Sequence, residues 1–109
     1  MTEKAGNLFA GLPGHLPEEV FEKLAEGGGV TIERIVSTGQ ATPEGDWLTQ
    51  DRHEWVALLT GAARLSFEGD AAARPLAPGD WLLIPAGARH RVEWTADDRT
   101  TVWLAVHYR

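Results

Sequence analysis

Gly79-Asp80-Trp81-Leu82-Leu83-Ile84-Pro85-Ala86-Gly87-Ala88-Arg89-His90 is the stretch from which the fold is read. A Pro78-Gly79-Asp80 turn leads into the short apolar run Trp81–Ile84. A second turn, Pro85-Ala86-Gly87, follows, and His90 opens a new strand. Turn, buried strand, turn, imidazole is an order by which a small β-barrel places a metal or an acid–base group inside its mouth.

Working outward, the chain from Val30 alternates short apolar-rich runs with turn residues. Strands are expected at Val30–Ser37, Glu54–Thr60, Ala62–Glu68, Trp81–Ile84, His90–Thr95 and Thr101–Tyr108, with a short extended piece at Trp47–Gln50. Short strands with frequent turns and no helices between them indicate an antiparallel sandwich or barrel. Upstream, Leu16–Glu26 reads as one short helix, with Pro17 in its first turn and Gly27 as its stop. Glu18, Glu19 and Glu22 suit its N-terminal dipole end, and Val20, Phe21 and Leu24 form its buried stripe. Residues 1–29 are thus expected as an arm and helix, and 30–109 as the barrel of one domain.

Strand alternation assigns faces. His90, Val92 and Trp94 share one side and are expected inward, since Arg91 and Glu93 need water on the other. Ala63, Leu65 and Phe67 point in. Glu54, Val56 and Leu58 share a face, yet the opposite face, Trp55, Ala57 and Leu59, is apolar too. A strand apolar on both sides is covered on both. The arm, the helix or a second subunit would cover the outer side, and a homodimer is expected.

The net charge is −6 and no run of lysine or arginine exists. A nucleic-acid groove needs clustered cations to neutralise phosphates, so that partner is not expected. Without cysteine, disulfides, thiolate metal sites and thiol nucleophiles are excluded. No secretion signal or membrane-length apolar run is read, and a cytoplasmic protein is expected.

The spacing Gly79-x5-Pro85-x-Gly87-x2-His90 resembles the second motif of the cupins, G-x5-P-x-G-x2-H-x3-N, up to its last position, which is Trp94. The end of the first cupin motif, G-x5-H-x-H-x3,4-E-x6-G, is matched by Glu54 and Gly61. Counting back, its two histidine positions fall on Leu48 and Gln50. The resemblance spans about Val30 to Tyr108 and implies a double-stranded antiparallel barrel, or jelly roll. It also implies a divalent metal held by the matching positions that remain: Gln50, Glu54 and His90. Iron, manganese or nickel suits such an oxygen- and nitrogen-donor set better than zinc or copper.

Without a metal, an inward Glu54 needs a partner, and His90 or Arg34 is the expected one. His53 should face outward, His15 should face solvent, and His107 shares a face with Trp103 and Ala105 that is either inner or outer. Asp46 and Asp51 read as turn formers with a minor chance to ligate. Trp94 is expected as a flat cavity wall, with Trp47 and Trp81 near the mouth.

Three functions fit this reading. One is a metal-dependent isomerase, lyase or dioxygenase acting through Glu54 and His90. The second resembles the metal-free cupin sugar epimerases, with His90 as general base and Glu54 beside it. The third is a non-catalytic module binding a small acid or sugar through Trp94 and Arg34. All three take a small molecule as partner.

Overall fold

The computed structural model describes residues 4–109; residues 1–3, the start of the arm, lie outside the described residues. Its strands are β1 Val20–Gly27, β2 Val30–Ser37, β3 His53–Thr60, β4 Ala63–Phe67, β5 Arg74–Leu76, β6 Trp81–Ile84, β7 His90–Thr95 and β8 Thr101–Tyr108. They form two antiparallel sheets, one ordered β1-β2-β8-β3-β6 and the other β5-β4-β7. The sheets close over an apolar layer built from Ile35, Val56, Leu58, Leu65, Ile84 and Trp103. Burying such side chains contributes about 1.5–3 kcal/mol each and holds the sheets together.

The expected N-terminal helix is corrected. Val20–Gly27 is a strand paired with β2, from Val20 opposite Val36 to Gly27 opposite Val30. Gly28 and Gly29, with φ of 58° and 80°, form the two-residue turn between them. A tight hairpin turn with positive φ at both central residues strongly favours glycine, and its twist matches that of the strands. Two adjacent glycines there let β1 gain a ladder of cross-strand bonds, broken by one register shift between Lys23 and Ala25, and this outweighs the helix signals of Pro17 and the glutamates. The expected stripe splits: Leu24 lies beside the arm, and Phe21 lines the space between the sheets.

The arm lies along the outer face of the larger sheet. Arg34 Nη1 donates to the carbonyls of Leu8 (3.0 Å) and Ala10 (2.8 Å), and its Nη2 meets Glu22 at 2.5 Å. Leu16 N–H and Thr38 Oγ1 add a further tie at 3.0 Å. Beyond the arm the outer face stays apolar: Trp81 is 62% exposed and stacks on Trp55 with ring centres 6.1 Å apart.

Gly61 closes the hairpin between β3 and β4 with φ +85°. A β-carbon there would stand 2.2 Å from Thr101 Oγ1 and 2.6 Å from the Thr101 α-carbon. Only glycine lets β8 pass this close. Gly61→Ala should therefore cost at least about 2 kcal/mol, from the left-handed backbone and the overlap together. Urea unfolding should show this as a lowered midpoint with an unchanged slope.

Candidate active site

The site is a cavity of about 280 Å³ between the sheets. That is near the small end of ligand pockets, so its occupant is small.

The segment before β3 forms one wall. Leu48 makes an isolated antiparallel bridge with His90: Leu48 N–H donates to His90 O at 2.7 Å, and His90 N–H to Leu48 O at 3.0 Å. Gly87 N–H donates to Gln50 O at 2.7 Å. Three backbone bonds thus fasten the Leu48–Gln50 strap to the turn and strand of the opening stretch. Gln50 Nε2 donates to Glu54 Oε1 at 2.7 Å. Both residues line the cavity, and Glu54 is 8% exposed.

His90 enters from β7 opposite Phe67 and is 3% exposed. Its Nδ1 lies 3.0 Å from the Ala88 carbonyl. A carbonyl only accepts, so Nδ1 carries the hydrogen, and in the neutral ring Nε2 keeps its lone pair. On the facing sheet, β8 lies between β2 and β3. His107 pairs across with Glu54, which sets their β-carbons about 4.5–5.5 Å apart. His107 Nε2 meets Glu33 Oε1 at 2.8 Å. A row Glu33, His107, Glu54, Gln50 therefore crosses the larger sheet, with His90 on the smaller sheet lining the same cavity.

A third carboxylate, Glu19, enters just before β1. It accepts from the Ser37 hydroxyl, which in turn accepts from Trp103 Nε1–H at 3.2 Å. Burial raises the Glu19 carboxyl above its ordinary value, the Ser37 bond opposes this, and the charge of Glu54 adds to the rise.

Sequence reasoning brought Gln50, Glu54 and His90 to one place, and all three line this cavity. Two expected residues lie elsewhere. Trp94 does not point inward. Leu65 pairs with Val92 but Arg64 pairs with Trp94, so Glu93 is an extra residue in β7. This β-bulge turns the strand over by one position. Trp94 emerges on the outer surface, 38% exposed, with the Arg64 guanidinium 5.0 Å above its ring. Arg34 is buried on the opposite face of β2, holding the arm, and does not partner Glu54.

Trp81 is on the outer face, and Trp47 packs beneath Arg89 and Arg91; neither lines the cavity. His53 is outside it too, accepting from Ala86 N–H at 3.1 Å, and His15, Asp46 and Asp51 are exposed. Glu19, Glu33 and Phe21 were not anticipated. Parity offered one signal: Glu33 shares its face with Ile35 and Ser37, both of which turn to the core side.

A divalent ion would find few free donors here. Leu48 offers no side-chain donor, and Gln50 points an N–H at the Glu54 oxygen it would share with a metal. His107 is engaged with Glu33. Among the described residues no three His, Asp or Glu side chains stand close enough to hold one ion. The set does not fit a tightly held metal.

The model of the cupin domain family matches residues 34–107. The chain belongs to the cupins. Among solved structures similar to this cupin is one from Ralstonia eutropha JMP134, named as a "putative mannose-6-phosphate isomerase". It is 51% identical, with TM-score 0.95 over 97% of this chain and 98% of that one. A cupin superfamily protein of Desulfitobacterium hafniense DCB-2 shares 17% identity, with TM-score 0.74 over 99% and 94% of the chains. A cupin of Methanocaldococcus jannaschii with a double-stranded β-helix fold gives 17% and 0.74 over 99% and 92%. The last two are similar in fold alone. A search of the curated proteins found no match. No helix among the described residues is long and apolar enough to cross a membrane.

Glu19 yields a pH prediction. Its folded carboxyl holds a proton to higher pH than the unfolded one, so stability falls as pH rises from about 4.5 through the raised value. Glu19→Gln keeps an acceptor for Ser37 without the charge. Its melting temperature should exceed that of the parent at pH 7, and the two should converge as pH drops to about 4.

Proposed function

We propose that this cupin is a metal-independent enzyme that moves a proton on a small polar carbonyl or polyhydroxy substrate, as an isomerase or epimerase does. One observation carries the reading: two imidazoles from facing sheets, His90 and His107, line one small cavity, and each has one ring nitrogen already held. A base on one wall and an acid on the other is what proton transfer across a bound molecule requires.

In this reading His90 Nε2 takes the proton from the carbon next to the substrate carbonyl. The C–H electrons become a carbon–carbon double bond, and the carbonyl electrons move onto oxygen. His107 in its protonated form, with Nε2–H held by Glu33, donates the Nδ1 proton to that oxygen. Return of a proton to the former carbonyl carbon, as the hydroxyl on the first carbon gives up its proton and becomes the new carbonyl, completes an isomerisation. Return to the opposite face of the first carbon, as the enol oxygen gives its proton back to His107, completes an epimerisation. Neither outcome needs an oxidant. Gln50 fixes the rotamer of Glu54, which accepts a substrate hydroxyl. Trp103, Val56 and Ile84 exclude water around the reacting atoms, which strengthens each polar contact.

The name carried by the Ralstonia protein supports an isomerase reading through its 51% identity. The binding-module alternative through Trp94 and Arg34 loses its support, because neither side chain lines the cavity.

The test is deuterium uptake from D2O into a panel of aldoses and ketoses, phosphorylated and free, followed by NMR with a chelator present. Uptake should persist in the chelator and fall about 10²–10⁴-fold in His90→Ala and in His107→Gln. Loss of uptake on chelation alone, with recovery on adding a metal, would overturn the reading.

A further inference from the structure

The cavity's charge has a direct chemical consequence. Three carboxylates, Glu19, Glu33 and Glu54, line it, and among the described residues no lysine or arginine does. The cations nearby in sequence are committed elsewhere. Arg34 holds the arm on the far face of β2. Arg52 donates to Thr31 Oγ1 at 2.9 Å, and Lys23 pairs with Glu26 at 3.1 Å.

A phosphate normally needs guanidinium, ammonium or a fan of backbone N–H groups, and it repels carboxylates. An acidic cluster alone would not define a site. Here, however, His90 is 97% buried by its 3% exposure and lines the cavity, and its Nδ1 is satisfied by Ala88 while Nε2 has no protein partner. That nitrogen is an acceptor open to the cavity. Glu54 likewise spends one oxygen on Gln50 and keeps the other for an occupant.

We propose that the cavity selects by charge: it takes a small molecule bearing an amine or no charge, and excludes a phosphorylated one. Glu33 and Glu54 are the specificity-determining residues, and the occupant's ammonium or hydroxyl hydrogens donate to them. The inference rests on this cavity being the substrate site, not on the proton chemistry within it. It sets the chain apart from the phosphorylated substrate in the Ralstonia protein's name.

The test uses bare ions, so that no particular scaffold is needed. Imidazole ¹H–¹⁵N resonances of His90 and His107 are followed in the full chain with a chelator present. Methylammonium and inorganic phosphate are titrated separately at matched ionic strength and pH. D-mannosamine and D-mannose 6-phosphate then repeat the comparison on one sugar frame.

Methylammonium should shift both imidazoles saturably, at a concentration at least about tenfold below any effect of phosphate, equivalent to about 1.4 kcal/mol. The amine-bearing sugar should do the same relative to the phosphorylated one. Glu33→Gln and Glu54→Gln should each narrow the gap. Phosphate acting at equal or lower concentration than methylammonium, or no saturable shift with methylammonium, would overturn the proposal. Its failure is distinct from that of the proton-transfer reading. Deuterium uptake confined to phosphorylated sugars sinks the charge rule alone. Selective ammonium binding without any deuterium uptake sinks the proton chemistry alone.

Discussion

The two backbone hydrogen bonds between Leu48 and His90 are the constraint on which the site depends. They tie a segment of the larger sheet's approach loop to the first residue of β7. That tie fixes the depth at which His90 enters and, through Gly87 and Gln50, the height of the strap above Glu54. Backbone bonds of this kind contribute about 0.5–1.5 kcal/mol each, so their role is placement more than stability. The first cupin motif would put a histidine at Leu48. Here that position serves the cavity through its main chain.

With the strap in place, strand order does the rest. β8 lies between β2 and β3, so the inward residues Glu33, His107 and Glu54 come from three neighbouring strands. β4 and β7 bring Leu65, His90 and Val92 over them. The result is an acidic pocket with an imidazole on each wall. Its polar atoms are largely paired with one another, which keeps the rotamers fixed before a substrate arrives.

Much of this was legible in the residues. The turns at Pro78–Asp80 and Pro85–Gly87 bracket β6 as expected, because proline and glycine dictate backbone there and leave little to context. Parity placed Glu54, Val56 and Leu58 on one face because no bulge interrupts them. Parity failed for Trp94 because one extra residue, Glu93, reverses the strand beyond it. An alternating pattern carries no mark of such an insertion. The helix expected at Leu16–Glu26 failed for a different reason. Pro17 and the glutamates are local helix signals, whereas the Gly28-Gly29 turn and the partner strand just beyond it decide the conformation. Arg34 was misplaced because its neighbours Val30, Ile32 and Val36 make its face the more apolar side of β2, although that side meets the arm and the cavity side carries Glu33 and Ile35. Glu33 and His107 are joined across 74 residues of sequence, a pairing that depends on β2 and β8 lying side by side.

If the cavity does its chemistry with protein acids and bases alone, it holds no tight metal. Manganese titration of the chelator-treated and desalted chain, followed through paramagnetic broadening of the His90 and His107 imidazole resonances, tests it most directly. Neither ring should then show saturable broadening at stoichiometric manganese. Stoichiometric broadening of His90, lost in Glu54→Gln, would contradict it.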